Sequence, residues 1–218
     1  MKNIIVFGAG GHAKAVIDTI EKTGIYQIVG IIDGLKPSGT SFYGYEILGN
    51  EQCLVQHEAL ASSGIVAIGD NWTRAAVVEK IKNILPRFSF ITAVHPNASV
   101  ARGAQIGSGT VIMAGSVIGS DTRISEHCIL YANSVAEHDT RIGNYVTLAP
   151  GACTGGNVHI GDYSVVSLGA AIIHGKTIGE HTVIGAGSTV LTDIAAYMVA
   201  YGTPAKALRA RVQGERYL

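Results

Sequence analysis

Residues 94–124 read VHPNASVARGAQIGSGTVIMAGSVIGSDTRI, and their spacing decides the fold. Every sixth residue is aliphatic: Val94, Val100, Ile106, Ile112, Ile118 and Ile124. The register continues without insertion through Leu130, Ala136, Ile142, Leu148, Thr154, Ile160, Val166, Ile172, Ile178, Ile184 and Val190, so 15 of 17 positions are Val, Ile or Leu. Gly often follows directly, as at Gly107, Gly119, Gly143, Gly161, Gly179 and Gly185. Two residues before each aliphatic stands a mostly small residue, such as Thr110, Ser116, Thr122, Ser134, Thr140, Ser164, Thr182 or Ser188. A period of six fits neither an amphipathic helix nor a two-faced strand. It fits a solenoid with one inward aliphatic per short strand and a turn between strands.

This pattern resembles the hexapeptide repeat of left-handed parallel β-helices, in which three hexapeptides make one triangular coil. The handedness comes from that resemblance, because the ordinary crossover rule alone favours the right hand. The 17 positions then give between five and six coils.

Upstream, Ile4-Ile5-Val6-Phe7 is a short buried-strand run followed by Gly8-Ala9-Gly10-Gly11-His12. A helical pattern with Val16, Ile17 and Ile20 on one face follows, then a strand from Ile28 to Ile32 ending at Asp33. Glycines at a strand-to-helix turn let a phosphate approach backbone N–H groups at a helix N-terminus. A tight turn without a ligand is the alternative. His12 and Asp33, at strand C-terminal ends, favour a binding site. Gly34 to Gly49 reads as a turn-rich connection, Ile65 to Ile68 as a strand, Thr73 to Leu85 as a helix stopped by Pro86, and Phe88 to Val94 as a last strand. So small a unit suits a nucleoside diphosphate better than a dinucleotide. After Val190 the chain is expected to leave the repeat. Lys206, Arg209 and Arg211 are expected on a short helix, either meeting a phosphate or solvated. The expected units are a Rossmann-like domain (1–92), a β-helix (93–192) and a C-terminal tail (193–218).

The 218 residues carry 16 basic and 16 acidic side chains, so no net field steers the protein towards nucleic acid. Cys53, Cys128 and Cys153 form no CxxC pair and read as reduced thiols of a cytoplasmic protein. No apolar run reaches signal-peptide or spanning length, so no membrane insertion is expected.

Two segments depart from the hexad. In Asn133-Ser134-Val135-Ala136-Glu137-His138-Asp139 an alanine takes the inward position, and His138 faces outward between two carboxylates. Such an imidazole suits a general base, or is a solvated surface histidine. In Cys153-Thr154-Gly155-Gly156-Asn157 adjacent glycines offer unobstructed N–H groups as an oxyanion donor, or make a tighter corner. His127, His159, His174 and His181 match no compact metal motif, and no metal is expected. His95 reads as a lead-in residue beside Pro96.

Taken together, Phe7-Gly8-Ala9-Gly10-Gly11-His12, Ala67-Ile68-Gly69-Asp70-Asn71, the hexad array, Ser134 to Asp139, Gly155 to Gly161 and Gly202-Thr203-Pro204-Ala205-Lys206 resemble one family. It is the bacterial sugar O-/N-acyltransferases of the sialic-acid O-acetyltransferase and bacillosamine N-acetyltransferase kind. The resemblance implies a cytoplasmic homotrimer with active sites between subunits, transferring acetyl from acetyl-CoA to a nucleotide-linked amino sugar of the UDP-4-amino-4,6-dideoxyhexose type. It implies His138 as base, Asp139 as the acid raising its basicity, and Gly156 as oxyanion donor. Gly10, Gly11, His12, Asp33 and Gly69 become nucleotide-sugar contacts. Leu168, Gly185, Ala186, Gly187 and Lys206 fall to the CoA side. Thr147 stands where a relative carries a second active-site histidine, Asp139 stands where close relatives carry Glu, and Asp33-Gly34 replaces an Asp-Asp pair. O-acetylation of a sugar hydroxyl is the alternative within the family. A β-helical metalloenzyme and a non-catalytic nucleotide-sugar binder are alternatives outside it.

Overall fold

The computed structural model describes residues 1–217. The first part is a six-stranded sheet with strand order β3-β4-β2-β1-β5-β6. Its strands are β1 (Lys2–Phe7), β2 (Tyr26–Ile32), β3 (Ser41–Phe42), β4 (Tyr45–Gly49), β5 (Ser63–Val66) and β6 (Ser89–Phe90). Helix α1 (Gly11–Thr23) links β1 to β2, and α2 (Asn71–Ile84) follows β5. The apolar run 4–7 is buried on both sides, as a central parallel strand requires.

The second part is a stack of seventeen two-residue strands, β7 (Ala93–Val94) to β23 (Thr189–Val190). From β7 to β20 each pairs in parallel with the strand 18 residues on, which makes three faces. The first face runs through Val111–Ile112, Ile129–Leu130, Thr147–Leu148 and Val165–Val166. The second runs through Val117–Ile118, Val135–Ala136, Cys153–Thr154 and Ala171–Ile172. The third runs through Arg123–Ile124, Arg141–Ile142 and His159–Ile160. The inward aliphatics form one continuous core, with Ile112, Ile118, Leu130, Ile178 and Ile184 at 0% exposure. Each such side chain stabilises the stack by about 1.5–3 kcal/mol.

The rest of the hexad has separable causes. The small polar residue is buried and its hydroxyl reaches a carbonyl fifteen residues on: Thr110 to Ser125 at 2.9 Å, Thr122 to Glu137 at 2.8 Å, Ser164 to Gly179 at 2.7 Å. The glycine after the aliphatic is needed for close approach of coils, since a Cβ on Gly119 would lie 2.4 Å from the His138 nitrogen. The left-handed corner residue comes two positions later, and Asp139 (φ 58°) and Asn157 (φ 56°) occupy it.

Between the third and first faces that corner position carries rings. His127 stacks on Tyr145 (5.2 Å), Tyr145 on Tyr163 (5.0 Å), Tyr163 on His181 (4.7 Å) and His181 on Tyr197 (4.6 Å). Trp72 of α2 lies flat against Tyr163 and His181. Arg74, fully buried, ties the two parts of the chain together. Its Nε donates to the His127 carbonyl at 2.8 Å, and its terminal nitrogens donate to the Ile68, Gly69 and Tyr145 carbonyls and to Asn71 Oδ1. Helix α1 packs on the first face, and Val111, Met113 and Ile129 join the core of the first part.

Several expectations need correction. The connection 34–49 contains β3 and β4; Ile47 is fully buried and β4 extends the sheet beside β2. Its turn residues bracket a hairpin that is too short to show periodicity. The strand expected at Ile65 to Ile68 sits at Ser63–Val66. The strand expected from Phe88 to Val94 breaks into β6, in the first sheet, and β7, in the solenoid. The chain does not leave the stack after Val190. Ile194 bridges Ile178, and β24 (Met198–Gly202) pairs with Val183–Ile184. Lys206 and Arg209 lie on a strand, β25 (Ala205–Ala210), antiparallel to β24, not on a helix. Arg211 follows it, nearly buried, donating to the His181 carbonyl at 2.9 Å.

Candidate active site

His138 stands at the corner between the second and third faces, with a side chain 61% exposed. Asp139 Oδ2 lies 2.9 Å from its Nδ1. Glu137 is turned to the backbone and accepts from the His138 N–H at 3.3 Å. The Asp139 hydrogen bond, and the charges of Asp139 and Glu137, raise the His138 pKa above its ordinary value. With Nδ1 engaged, Nε2 is the nitrogen left to take a proton.

Gly156 occupies the equivalent corner position one coil further on. A Cβ there would lie 2.4 Å from both His138 Cε1 and Nε2, so only glycine leaves the ring room. Asn157, next in sequence, donates to the His138 carbonyl at 2.8 Å and closes the turn. Among the described residues no acceptor takes the Gly156 N–H. A bare amide and a hydrogen-bonded imidazole thus share one edge of the stack.

A second half-site lies between α1, the Ile68-Gly69-Asp70 turn and the first face. This cavity of about 570 Å³ is lined by Gly10, Gly11, His12, Gly69 and Tyr131, among others. Helix α1 opens at Gly10 with no side-chain cap, so its first amides are unclaimed by side chains. His12 Nδ1 is 2.9 Å from the Tyr131 hydroxyl, and its Nε2 is buried without a partner among the described residues. Burial, then the Arg74 charge, pushes His12 down to about 3, so the ring is neutral.

Asp33 is placed differently. Its Oδ2 accepts from the Ala9 N–H at 2.7 Å and its Oδ1 from the Leu35 and Lys36 N–H groups. It ties the glycine turn to the loop after β2, and it is not among the cavity's lining residues. Thr147 is 1% exposed, and its hydroxyl donates to Asn71 Oδ1 at 2.7 Å. Thr147 therefore belongs to the seam between the chain's two parts and not to an open groove. Leu168, Ala186 and Gly187 are exposed at the corner between the first and second faces, one coil apart, and the Gly187 N–H donates to the Leu168 carbonyl. Gly185 beside them packs against Tyr201. Lys206 is exposed on β25.

Sequence reasoning missed Tyr131 and Arg74. Tyr131 follows an inward leucine, as any corner residue does. Arg74 sits in an otherwise ordinary helix, where a lone arginine reads as surface. The stack through His127 and His181 did leave a signal: the 18-residue spacing of His127, Tyr145, Tyr163 and His181. Both histidines are buried and shifted down, His127 to about 3, chiefly by desolvation. His95 is a corner residue whose Nδ1 accepts from the Asn97 N–H at 2.9 Å. No group of three metal-ligating side chains is brought together among the described residues.

A small nucleotide-type sheet fused to a hexad solenoid with a carboxylate-bound histidine on one edge defines a β-helical acyltransferase. The PglD N-terminal domain family matches residues 3–81. A UDP-N-acetylbacillosamine N-acetyltransferase of Bacillus subtilis (strain 168) is 34% identical over 119 residues, 52% of this chain and 52% of that protein. The match thus spans about half the length of that curated relative. PerB from Caulobacter crescentus, solved with CoA and GDP-perosamine, is 32% identical, with a TM-score of 0.89, over 96% of this chain and 98% of that one. The acetyltransferase domain of PglB from Neisseria gonorrhoeae FA1090, solved with acetyl coenzyme A, is 29% identical, with a TM-score of 0.84, over 95% of this chain and 99% of that one. The chain belongs to the hexapeptide-repeat family of sugar N-acyltransferases, with its small Rossmann-like domain and left-handed β-helix.

Proposed function

We propose that this protein transfers the acetyl group of acetyl-CoA to the amine of a nucleotide-linked amino-dideoxy sugar, of the 4-amino-4,6-dideoxyhexose type. One observation carries the reading: His138, held by Asp139 through Nδ1, presents a free Nε2 beside the bare Gly156 amide. The amine nitrogen attacks the thioester carbonyl carbon, and its proton passes to His138 Nε2. The oxyanion is met by the Gly156 N–H. As the C–S bond breaks, His138 returns the proton to the CoA sulfur. Such a base contributes about 10²–10⁴-fold, and one oxyanion donor about 10²–10³-fold.

The nucleotide diphosphate fits the cavity at α1, where unclaimed amides and a buried histidine N face the ligand. The match of residues 3–81 to the PglD N-terminal domain, and the GDP-perosamine bound by PerB, support this. CoA fits the exposed corner at Leu168 and Gly185-Ala186-Gly187, with Lys206 as a phosphate contact.

These half-sites do not meet within one chain. The cavity and the CoA corner flank one edge of the second face, and His138 stands on the other edge. The second face itself presents Val117, Val135, Cys153 and Ala171 outward, with Val117 37% exposed and no element among the described residues covering them. A homotrimer covers this face and brings one subunit's His138 corner to its neighbour's cavity. Three free cysteines fit a reducing cytoplasm.

The test is product mass after incubation with acetyl-CoA and a panel of UDP-4-amino-4,6-dideoxy sugars, GDP-perosamine and a sialic acid. One acetyl gained by one amino sugar supports the reading. Acetylation of the hydroxyl substrate alone, or of none, overturns it.

A further inference from the structure

The histidine in the cavity has two ring nitrogens with different fates. His12 Nδ1 meets the Tyr131 hydroxyl at 2.9 Å, while Nε2 is buried with no partner among the described residues. The rings are tilted by 55° with centroids 5.2 Å apart. Both line the cavity, yet they come from different parts of the chain: His12 from α1, Tyr131 from the first coil-corner beyond Ile129–Leu130.

A neutral imidazole donates from one nitrogen and accepts at the other, and the partner of one nitrogen fixes the role of the other. The direction of the Tyr131–His12 bond therefore decides what the ligand meets. If Nδ1 donated, the Tyr131 proton would need an acceptor, and among the described residues the hydroxyl has no other partner. If the hydroxyl donates, its proton and the Nδ1 lone pair satisfy each other, and Nε2 carries a proton that is left for a ligand.

The surroundings keep both groups in those states. Arg74 lies behind the turn, donating to the Ile68 and Gly69 carbonyls at 2.9 Å, and no carboxylate side chain among the described residues pairs with its guanidinium. A second positive charge on His12 is thereby disfavoured. Burial pushes Tyr131 up to about 12, so its hydroxyl keeps its proton.

We infer that Tyr131 is a positioning residue of the nucleotide-sugar site: its hydroxyl donates to His12 Nδ1 and holds His12 in the tautomer that presents Nε2–H to a phosphoryl oxygen. This rests on the nucleotide-sugar reading of the cavity. An uncharged donor suits a cavity where Arg74 and the α1 amides already supply positive potential, and it does not titrate near neutrality.

Tyr131→Phe keeps the ring and removes the donor. A hydrogen bond to a charged ligand that is no longer aligned should raise KM for the nucleotide sugar about tenfold. Turnover should fall less than about twofold and KM for acetyl-CoA should not move. The second readout is nuclear magnetic resonance of the ligand-free protein with heavy-nitrogen-labelled histidine, His12→Gln assigning the signal. Wild-type His12 should be protonated at Nε2 and bare at Nδ1, and Tyr131→Phe should show a mixture. A proton on Nδ1 in the wild type overturns the inference, as does an unchanged nucleotide-sugar KM in Tyr131→Phe. A wild type that binds no nucleotide sugar overturns the underlying reading as well; a purely structural role for Tyr131 would lower thermal stability and leave the tautomer where it was.

Discussion

His127 and His138 lie eleven residues apart in the same solenoid, and the structure drives them in opposite directions. His127 occupies a left-handed corner position, stacks on Tyr145 with Phe90 edge-on to it, and has neither ring nitrogen bonded among the described residues. Burial pushes it down to about 3. His138 stands one position before the next left-handed corner residue but one, in the open, with Asp139 on Nδ1 and its pKa raised. One repeat thus holds the same side chain in a ring stack on one edge and, on another, in the open against a carboxylate. The neighbours decide the chemistry: a covering helix in the first case, a carboxylate and a glycine in the second.

The largest expected effect separates the two edges. His138→Ala should cut turnover about 10²–10⁴-fold, with thermal stability nearly unchanged because the side chain is exposed. His127→Ala should do the reverse, costing about 2 kcal/mol or more of stability while the folded fraction keeps its turnover. Rate loss in both, or in neither, breaks the comparison. Gly156→Ala comes next. The added methyl would collide with the His138 ring, so turnover should fall about 10²-fold or more, read by steady-state kinetics beside an unchanged circular-dichroism spectrum.

Arg74→Met sharpens the buried side. It leaves the His127, Tyr145 and Gly69 carbonyls short of a donor, and should cost about 3 kcal/mol or more in denaturant unfolding. Asp139→Asn tests the exposed side by pH. A base must be neutral to act, so activity is lost as pH falls through its pKa. Asp139 raises that pKa; removing the carboxylate should move the acid limb of kcat/KM to lower pH while lowering the plateau. An acid limb that stays put contradicts the pairing. A last expected effect is on acid stability. His127 is held near 3 in the fold against 6.5 in the unfolded chain. The unfolded state therefore takes up the proton first, and stability declines as pH falls from 6.5 towards about 3. His127→Phe should make the fall of melting temperature across that range shallower.

The hexad made the solenoid, its inward residues and the outward aim of His138 legible, because every one of these follows from a period of six. The glycines of the α1 turn were legible for the same local reason. What lay beyond reach was set by which face another element covers. Thr147 looked like an open-site residue until the first face proved to lie under the first sheet and α2, where it bonds Asn71. Asp33 sits at a strand end, as a ligand contact would, and its bonds to the Ala9, Leu35 and Lys36 amides, which span two loops, were not legible. The basic tail, read as a helix, forms strand β25, because β24 continues the first face and leaves an edge to pair.

In the proposed trimer the His138 corner of one subunit serves the cavity of its neighbour, and subunit complementation is the decisive test. His138→Ala removes the base; Gly11→Asp sets a carboxylate at the α1 amides, where space for a side chain is free. Each variant alone should be nearly inactive. Co-expressed in one oligomer, they should recover about a tenth or more of wild-type activity, because some interfaces pair an intact corner with an intact cavity. Activity that stays at the level of the single variants would place both half-sites within one chain and contradict the account.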